Sequence, residues 1–165
     1  GIFNHMIITI LKAELSNAQH ASDLVMLLDS YASDPMGGGE ALTEYCRNHL
    51  IQELQKRPAA HAFLLYADGK AAAFSIAIEG FSTFACKALL NIHDFAVHPD
   101  FRGHGLGKQL MQYISRFAQE QDYCKITLEV LEGNHPARAL YAAEGFAPYA
   151  LDPAMGGALM LQKKF

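Results

Sequence analysis

The chain has 165 residues, of which 51% are hydrophobic and 18% are charged, and it carries a formal net charge of −4 at pH 7. This composition excludes a disordered chain and predicts one globular domain over residues 1–165, with residues 1–5 interpreted as a cloning remnant before a native start at Met6. The negative charge argues against nucleic acid as a partner, and no apolar run approaches the roughly 18 residues of a membrane span, so we expect no membrane either.

Cysteine and histidine usage bears on the compartment and on metals. The three cysteines, Cys46, Cys86 and Cys124, lie far apart and form no C-x-x-C pair. Such a set is typical of reduced thiols, so we expect a cytoplasmic protein. The eight histidines form no H-E-x-x-H motif and no Cys/His pair with the spacing of metal ligands, so no metal site is expected.

The first third of the chain is predicted to form a strand followed by two helices. Residues 6–12 are an apolar run typical of a strand, and Ser16 with Gln19 gives a capping-box pattern for the first helix. The second helix is predicted over residues 40–56. Between the helices, the 34–40 loop contains three adjacent glycines. Two interpretations of this loop stay open: a plain helix–helix connection, or a segment that closes over a bound ligand.

The middle of the chain is predicted to form an antiparallel meander of three strands. Residues 61–66 and 71–79 flank Asp68-Gly69, a dipeptide typical of a type I′ hairpin turn because both residues tolerate positive φ. A central strand follows over residues 89–97, where apolar and polar residues alternate before the run Phe-Ala-Val.

A glycine-rich turn, residues 102–108 (the glycine turn), leads from the central strand into an amphipathic helix whose apolar face begins with Leu106 and Leu110. Unpaired N–H groups and the helix dipole make such a turn a site for a phosphate or pyrophosphate; the alternative is a purely structural joint. Two nucleotide motifs fail on spacing. Lys108 stands where G-x-G-x-x-G needs its third glycine, and Arg102 stands where a P-loop needs its first.

The last third is predicted to contain a strand, a helix and two more strands. Residues 125–131 form the first strand, Asn134 opens the helix, and Gly145 ends it as a C′ residue. The final strands are predicted over residues 146–149 and 158–163. The complete order is β-α-α-β-β-β-α-β-α-β-β, which describes an α/β fold with a central mixed sheet flanked by helices.

Two segments resemble the sequence patterns of one family, the GCN5-related N-acetyltransferases (GNAT superfamily). The turn Arg102-x-x-Gly105-x-Gly107 is similar to the R/Q-x-x-G-x-G/A pattern that holds the pyrophosphate of acetyl-CoA in that family. The family's N-x-x-A-x-x-[LF]-Y-x-x-x-G-F segment is matched by Asn134, Ala137, Leu140, Tyr141, Gly145 and Phe146. The element order is also that of the family. The resemblance therefore implies a GNAT-type acyl-CoA N-acyltransferase fold and an acetyl-CoA-dependent N-acetyltransferase.

The resemblance also implies where acetyl-CoA binds. In the family, the backbone of the central strand pairs with the pantetheine arm, and the turn after it holds the pyrophosphate. The cofactor-binding residues implied here are Phe95, Ala96, Val97, Arg102, Gly103, His104, Gly105, Leu106, Gly107, Lys108, Asn134 and Tyr141. By themselves these side chains indicate only a buried strand, solvated loop charges and a helix N-cap.

Acetyl transfer to an amine needs a proton acceptor and a proton donor. A free alkylamine has a pKa of about 10 and must lose a proton before it attacks, and the departing thiolate gains from a proton. By resemblance Tyr141 is the donor; the alternative is a tyrosine of the helix's core face.

Relatives that acetylate small amines often carry Glu before the Asp of the central strand, whereas here the pair is His93-Asp94. His93 is the candidate base, Asp94 a residue that orients it or binds a cationic amine, and Glu79 a further candidate. A structural role for His93 stays open.

The expected reaction is direct transfer to an amine of a small molecule. Two alternatives remain: acetylation of a protein or peptide amine, and a non-catalytic acyl-CoA-binding module on the same fold. Many members of this fold dimerise through the sheet edge or the last strands, so a homodimer is also expected. The sequence leaves the amine acceptor unidentified.

Overall fold

The computed structural model describes residues 5–149 and 152–165. The strands in these residues are β1 (Ile8–Lys12), β2 (Ala60–Ala67), β3 (Lys70–Ser82), β4 (Lys87–Val97) and β5 (Ile126–Leu128). The α-helices in the same residues are α1 (Ala18–Ser33), α2 (Glu44–Gln55), α3 (Leu106–Glu120) and α4 (His135–Ala143). None of the helices described is long and apolar enough to cross a membrane.

The strands form one mixed sheet in the order β1-β2-β3-β4-β5. The pairs β1–β2, β2–β3 and β3–β4 are antiparallel. Asp68 and Gly69 join β2 to β3 with φ of 50° and 78°, which confirms the type I′ prediction. β5 is parallel to β4, and α3 provides the crossover between them. The predicted α/β fold with a mixed sheet flanked by helices is confirmed.

Helices cover both faces of the sheet. On one face, α3 and α4 pack on a buried cluster that includes Phe63, Leu90, Leu106, Leu110 and Ile114. On the other face, α1 packs on a cluster that includes Leu24, Leu27, Leu28, Phe74 and Ile76. Since successive residues of a strand point to opposite faces, each residue of β4 contributes to one of two separate environments.

Both predicted N-terminal helices are present, but each begins later than predicted. Asn17 rather than Ser16 caps α1, and its side-chain oxygen accepts the N–H of Gln19 at 2.9 Å. α2 begins at Glu44 rather than at residue 40, because the hydroxyl of Thr43 supplies its cap. The cap is the residue whose side chain reaches the free N–H groups, and a sequence with several Ser, Thr and Asn residues offers more than one choice.

The prediction of two strands after α4 is wrong, because the described residues 146–149 and 158–163 contain no strand. Leu159 and Leu161 are 87% and 84% exposed. An apolar run becomes a strand only where a neighbouring strand supplies hydrogen bonds and a buried face. β5, predicted over residues 125–131, pairs with β4 over three residues only, so it offers these segments a short edge.

Candidate active site

The sheet opens beside the second half of β4. β5 pairs with β4 only from Leu90 to Ile92, where the Leu90 N–H donates to the Lys125 carbonyl at 3.0 Å. β4 continues to Val97. Among the described residues no strand pairs with residues 93–97 on the β5 side. This opening, bounded by residues 93–97, is the β4–β5 cleft, and it leaves strand backbone free to bind a ligand.

A β-bulge at His93 determines which face of the sheet each later side chain of β4 points to. Asp94 pairs with Ile76 while Ile92 pairs with Ala77, so His93 has no partner on β3. Ile76 belongs to the α1-side cluster. Because directly opposed residues share a face of the sheet, the Asp94 side chain also faces α1.

Beyond the bulge, the alternation of β4 is shifted by one residue. Phe95 and Val97 pack with the α3 cluster, whereas Ala96 packs on the α1 side. The N–H of His98 donates to a β3 carbonyl at 2.8 Å, that of Ala72. By the two-residue period of a strand, the N–H groups of Phe95 and Val97 therefore point into the β4–β5 cleft.

The glycine turn (residues 102–108) follows β4 and ends in the N-terminus of α3. Gly103 and Gly105 have φ of 85° and 72°, a left-handed conformation that favours glycine. Gly105 is the N-cap of α3 and supplies no side-chain hydrogen bond, so the first N–H groups of the helix remain for an outside acceptor. A Cβ at Gly107 would lie 3.1 Å from Leu140 Cδ2, so glycine lets α3 approach α4 closely. This bare helix N-terminus fits a pyrophosphate.

The side chains of the glycine turn differ in what they can contribute. His104 and Lys108 are exposed, whereas Leu106 is buried in the core and offers a ligand only its backbone. The guanidinium of Arg102 reaches the loop that follows α1 and donates to Asp34 Oδ2 at 3.0 Å. Arg102 is thus already engaged by a carboxylate.

Tyr141 lies on the last turn of α4, against the cleft wall that Phe95 forms. Its ring centroid is 5.9 Å from that of Phe95 and 5.7 Å from that of Phe146. The Gly145 N–H donates to the Ala142 carbonyl (3.2 Å) and the Phe146 N–H to the Tyr141 carbonyl (2.9 Å), which is a Schellman motif and confirms Gly145 as C′. Burial, and then the nearby Tyr31, raise the pKa of Tyr141 to about 12. Its hydroxyl therefore keeps its proton at neutral pH.

The α1 side of the cleft contains Asp94 and Tyr31. Burial raises the pKa of Asp94, while the charge of His93 acts in the opposite direction. Burial, then Asp94 and then Asp34, raise the pKa of Tyr31. Tyr31 therefore lies within electrostatic range of two carboxylates and of Tyr141. His93 is exposed.

Two other candidate residues have structural partners elsewhere. Asn134 caps α4, where its side-chain oxygen accepts the Ala137 N–H at 3.3 Å. Glu79 lies opposite Leu90, before the bulge. Burial, and then the hydrogen bond with Glu79, raise the pKa of Tyr123 to about 12. In the described parts of the chain, no group of three or more His, Cys, Asp or Glu side chains is placed to hold a metal.

Sequence reasoning missed two features of this site. The bulge had a signal: apolar residues fall at Leu90 and Ile92 and then at Phe95 and Val97, so the alternation breaks once. The ion pair between Arg102 and Asp34 joins residues 68 positions apart, and no local pattern indicates it.

Comparison with known proteins gives consistent matches. A profile described as the Acetyltransferase (GNAT) family matches residues 24–146. The chain is 28% identical over 104 residues to a putative ribosomal protein bS18-alanine N-acetyltransferase of Bacillus subtilis (strain 168), covering 63% of this chain and 65% of the relative. It is 38% identical over 89 residues to streptothricin acetyltransferase of Streptomyces lavendulae, covering 54% of this chain and 45% of the relative. The chain thus spans about half to two thirds of the length of these relatives.

A solved structure has the same fold. AAC(6')-Iy in complex with the bisubstrate analog CoA-S-monomethyl-acetylneamine superposes with a TM-score of 0.74 at 16% sequence identity, covering 96% of this chain and 99% of that chain.

Proposed function

The chain belongs to the Acetyltransferase (GNAT) family, and on that premise we propose that it is an N-acetyltransferase that moves the acetyl group of acetyl-CoA directly to an amine of a small molecule. The observation that carries the proposal is the β4–β5 cleft, with the glycine turn after its end and Tyr141 and Asp94 on its two sides. Free strand backbone suits an extended ligand, and the turn suits its phosphate end.

The cofactor site proposed here consists mainly of backbone groups. Acetyl-CoA supplies an activated acetyl thioester, and the chain supplies its position. The N–H groups of Phe95 and Val97 donate into the cleft, and one of them stabilises the carbonyl oxygen where negative charge develops. The N–H groups of residues 103–108 hold the pyrophosphate, with the side chains of Arg102 and Lys108 adding charge. Asn134, at the start of α4, is a weaker candidate because it already caps that helix.

Asp94 and Tyr141 handle the protons in this proposal. Asp94 accepts a proton from the acceptor's ammonium group, and burial favours this role because it raises the pKa of the carboxyl. The freed amine then forms the C–N bond as the C–S bond breaks. Tyr141 gives its hydroxyl proton to the departing sulfur, which leaves as a thiol. The nitrogen loses its second proton as the amide forms, and that proton restores the Tyr141 hydroxyl. His93, the base candidate from sequence, is exposed. It acts here through its charge, which opposes the effect of burial and lowers the pKa of Asp94.

A small-molecule acceptor is proposed because two comparisons point that way. One relative is named a streptothricin acetyltransferase, and one matching structure holds a CoA-neamine bisubstrate analog. A protein acceptor is the second candidate, since another relative is named a ribosomal protein alanine N-acetyltransferase.

The test is the release of free thiol from acetyl-CoA with spermidine, kanamycin or a hexapeptide with an N-terminal alanine as acceptor. We expect turnover with one of the two small polyamines and none with the peptide. Turnover with the peptide alone would establish the protein acceptor. Binding of acetyl-CoA without turnover on a broad panel of amines would favour the non-catalytic module.

We further propose a homodimer in the cytoplasm. β5 is a short edge strand, and the apolar residues Leu159, Met160 and Leu161 of the C-terminal segment are 74–87% exposed. A second copy can cover such a segment, because exposed apolar patches and unpaired strand edges favour association.

The cytoplasmic location is proposed from the cysteines. All three are free thiols, which suits a reducing compartment.

A further inference from the structure

Asp34 anchors the 34–40 loop that follows α1. Its backbone carbonyl accepts the N–H groups of Gly37 (2.8 Å) and Gly39 (3.0 Å). Its side-chain Oδ1 accepts the Met36 N–H at 2.9 Å. The loop thus folds around one residue, and whatever binds the second carboxylate oxygen of that residue also holds the loop.

The second carboxylate oxygen binds Arg102 of the glycine turn. Arg102 Nη2 donates to Asp34 Oδ2 at 3.0 Å, and the two side chains are 54% and 20% exposed. The Met36 N–H and then Arg102 hold the pKa of Asp34 below its usual range, so the carboxylate is charged at neutral pH. A carboxylate and a phosphate offer a guanidinium the same kind of charged acceptor.

We propose that Asp34 is a positioning residue that competes with the pyrophosphate of the cofactor for Arg102, so that cofactor binding releases the 34–40 loop. This inference rests on the proposed function, because it requires a pyrophosphate at the glycine turn. Before the cofactor binds, Arg102 joins the glycine turn to the loop. Afterwards its guanidinium turns to the phosphate oxygens, and the loop loses its ion pair.

Tyr31 connects the 34–40 loop to the acceptor side of the cleft. Its carbonyl accepts the Asp34 N–H at 3.0 Å. A Cβ at Gly37 would lie 1.9 Å from the Tyr31 carbonyl oxygen, so the loop packs directly on that backbone. After burial, the Tyr31 side chain is the next cause that raises the pKa of Tyr141. Asp94 in turn follows burial among the causes that raise the pKa of Tyr31. Release of the loop therefore reaches the residues around the acceptor, and by linkage an acceptor that favours the released loop also favours cofactor binding.

Calorimetric titration of coenzyme A into the wild-type chain and two variants tests the proposal. Asp34→Asn keeps an oxygen for the Met36 N–H but removes the acceptor that holds Arg102. We expect it to bind coenzyme A about twofold to fivefold more tightly, the range expected for an exposed ion pair. Asp100→Asn is the matched control, because it removes a carboxylate that is 80% exposed and close in sequence to Arg102. We expect it to change the affinity by less than about 1.5-fold.

The outcomes separate this inference from the proposed function. Equal or weaker binding by Asp34→Asn, or equal tightening by Asp100→Asn, would overturn the competition for Arg102 while leaving the cofactor site intact. No binding by any of the three proteins would overturn the proposed function, and this inference with it.

Amide hydrogen exchange of residues 36–40 gives a readout that a merely structural role of Asp34 would not produce. We expect coenzyme A to speed exchange there in the wild-type chain, and to have no further effect in Asp34→Asn, where the loop is already released. Slower or unchanged exchange in the wild type on addition of coenzyme A would contradict the release.

Discussion

The hydroxyl of Tyr141 is the group on which the proposed proton donation depends. Tyr141→Phe keeps the ring contacts with Phe95 and Phe146 and removes only that hydroxyl. We expect kcat to fall about 10²-fold or more, the usual contribution of a positioned acid, while coenzyme A affinity stays within about twofold. Steady-state kinetics and calorimetry measure the two quantities.

The control for this substitution is Tyr113→Phe. Tyr113 packs on Phe63 in the same core cluster but lies on α3, so its hydroxyl has no proposed part in the reaction. We expect its kcat to match that of the wild type. Full activity of Tyr141→Phe would contradict the proposed proton donor.

The proposed role of Asp94 as the base predicts how kcat/KM depends on pH. As a base it must be ionised, and burial raises its pKa, so kcat/KM should rise with pH through a midpoint above that of an ordinary carboxyl group. His93 lowers that pKa, so His93→Gln should move the acidic limb to higher pH. Asp94→Asn should remove the limb and most of the activity, by about 10²-fold.

The pH profiles of the two variants also decide which residue is the base. If His93→Gln abolished turnover while Asp94→Asn kept a normal acidic limb, the histidine would be the base and the assignment to Asp94 would be wrong.

Single residues of the site were predictable where a motif fixes their neighbours. Gly105 and Tyr141 each belong to a pattern several residues long, and the structure places them at the N-cap of α3 and against Phe95. The contact between Asp34 and Arg102 belongs to no such pattern, because tertiary folding brings together two residues that lie 68 positions apart. A sequence pattern records local neighbours, and such long-range partners leave no local signal.

At the scale of elements, the joint between α1 and the 34–40 loop depends on Gly37. Because a Cβ there would meet the Tyr31 carbonyl oxygen at 1.9 Å, Gly37→Ala should lower the free energy of unfolding by about 1–3 kcal/mol. Urea denaturation measures the loss. Gly133→Ala is the matched control, since a Cβ at Gly133 has no atom within 4 Å among the described residues and should cost little. Equal stability of the two variants would show that the loop does not pack on α1 as described.

Element types were more predictable than element ends or pairing. The amphipathic stripe that begins at Leu106 predicts α3 because burial of one face is repeated at helical spacing. The strands predicted over residues 146–149 and 158–163 failed because strand formation needs a partner, and the sequence of one segment does not show whether a partner is there. The bulge at His93 also depends on pairing, with β3, although its broken alternation was visible.

At the scale of the whole molecule, the exposed C-terminal segment predicts self-association. Deletion of residues 158–165 should convert a homodimer to a single chain in light scattering. The truncated chain should still unfold cooperatively, because Leu159 and Leu161 bury almost nothing within one chain. A full-length protein with the mass of one chain would contradict the dimer, and a truncated protein that stays dimeric would place the interface elsewhere.

Every step proposed above requires acetyl-CoA to bind at the β4–β5 cleft and the glycine turn, and thermal melting measures that binding. Acetyl-CoA at about a hundred times its dissociation constant should stabilise the chain by roughly 2.7 kcal/mol, with ATP and NADH as controls. For a chain of this size that corresponds to a rise of roughly 5–10 °C. A rise of this size with acetyl-CoA and none with ATP or NADH is the predicted result. An unchanged melting temperature with acetyl-CoA would mean that the glycine turn is only a structural joint, and it would contradict the proposed enzyme.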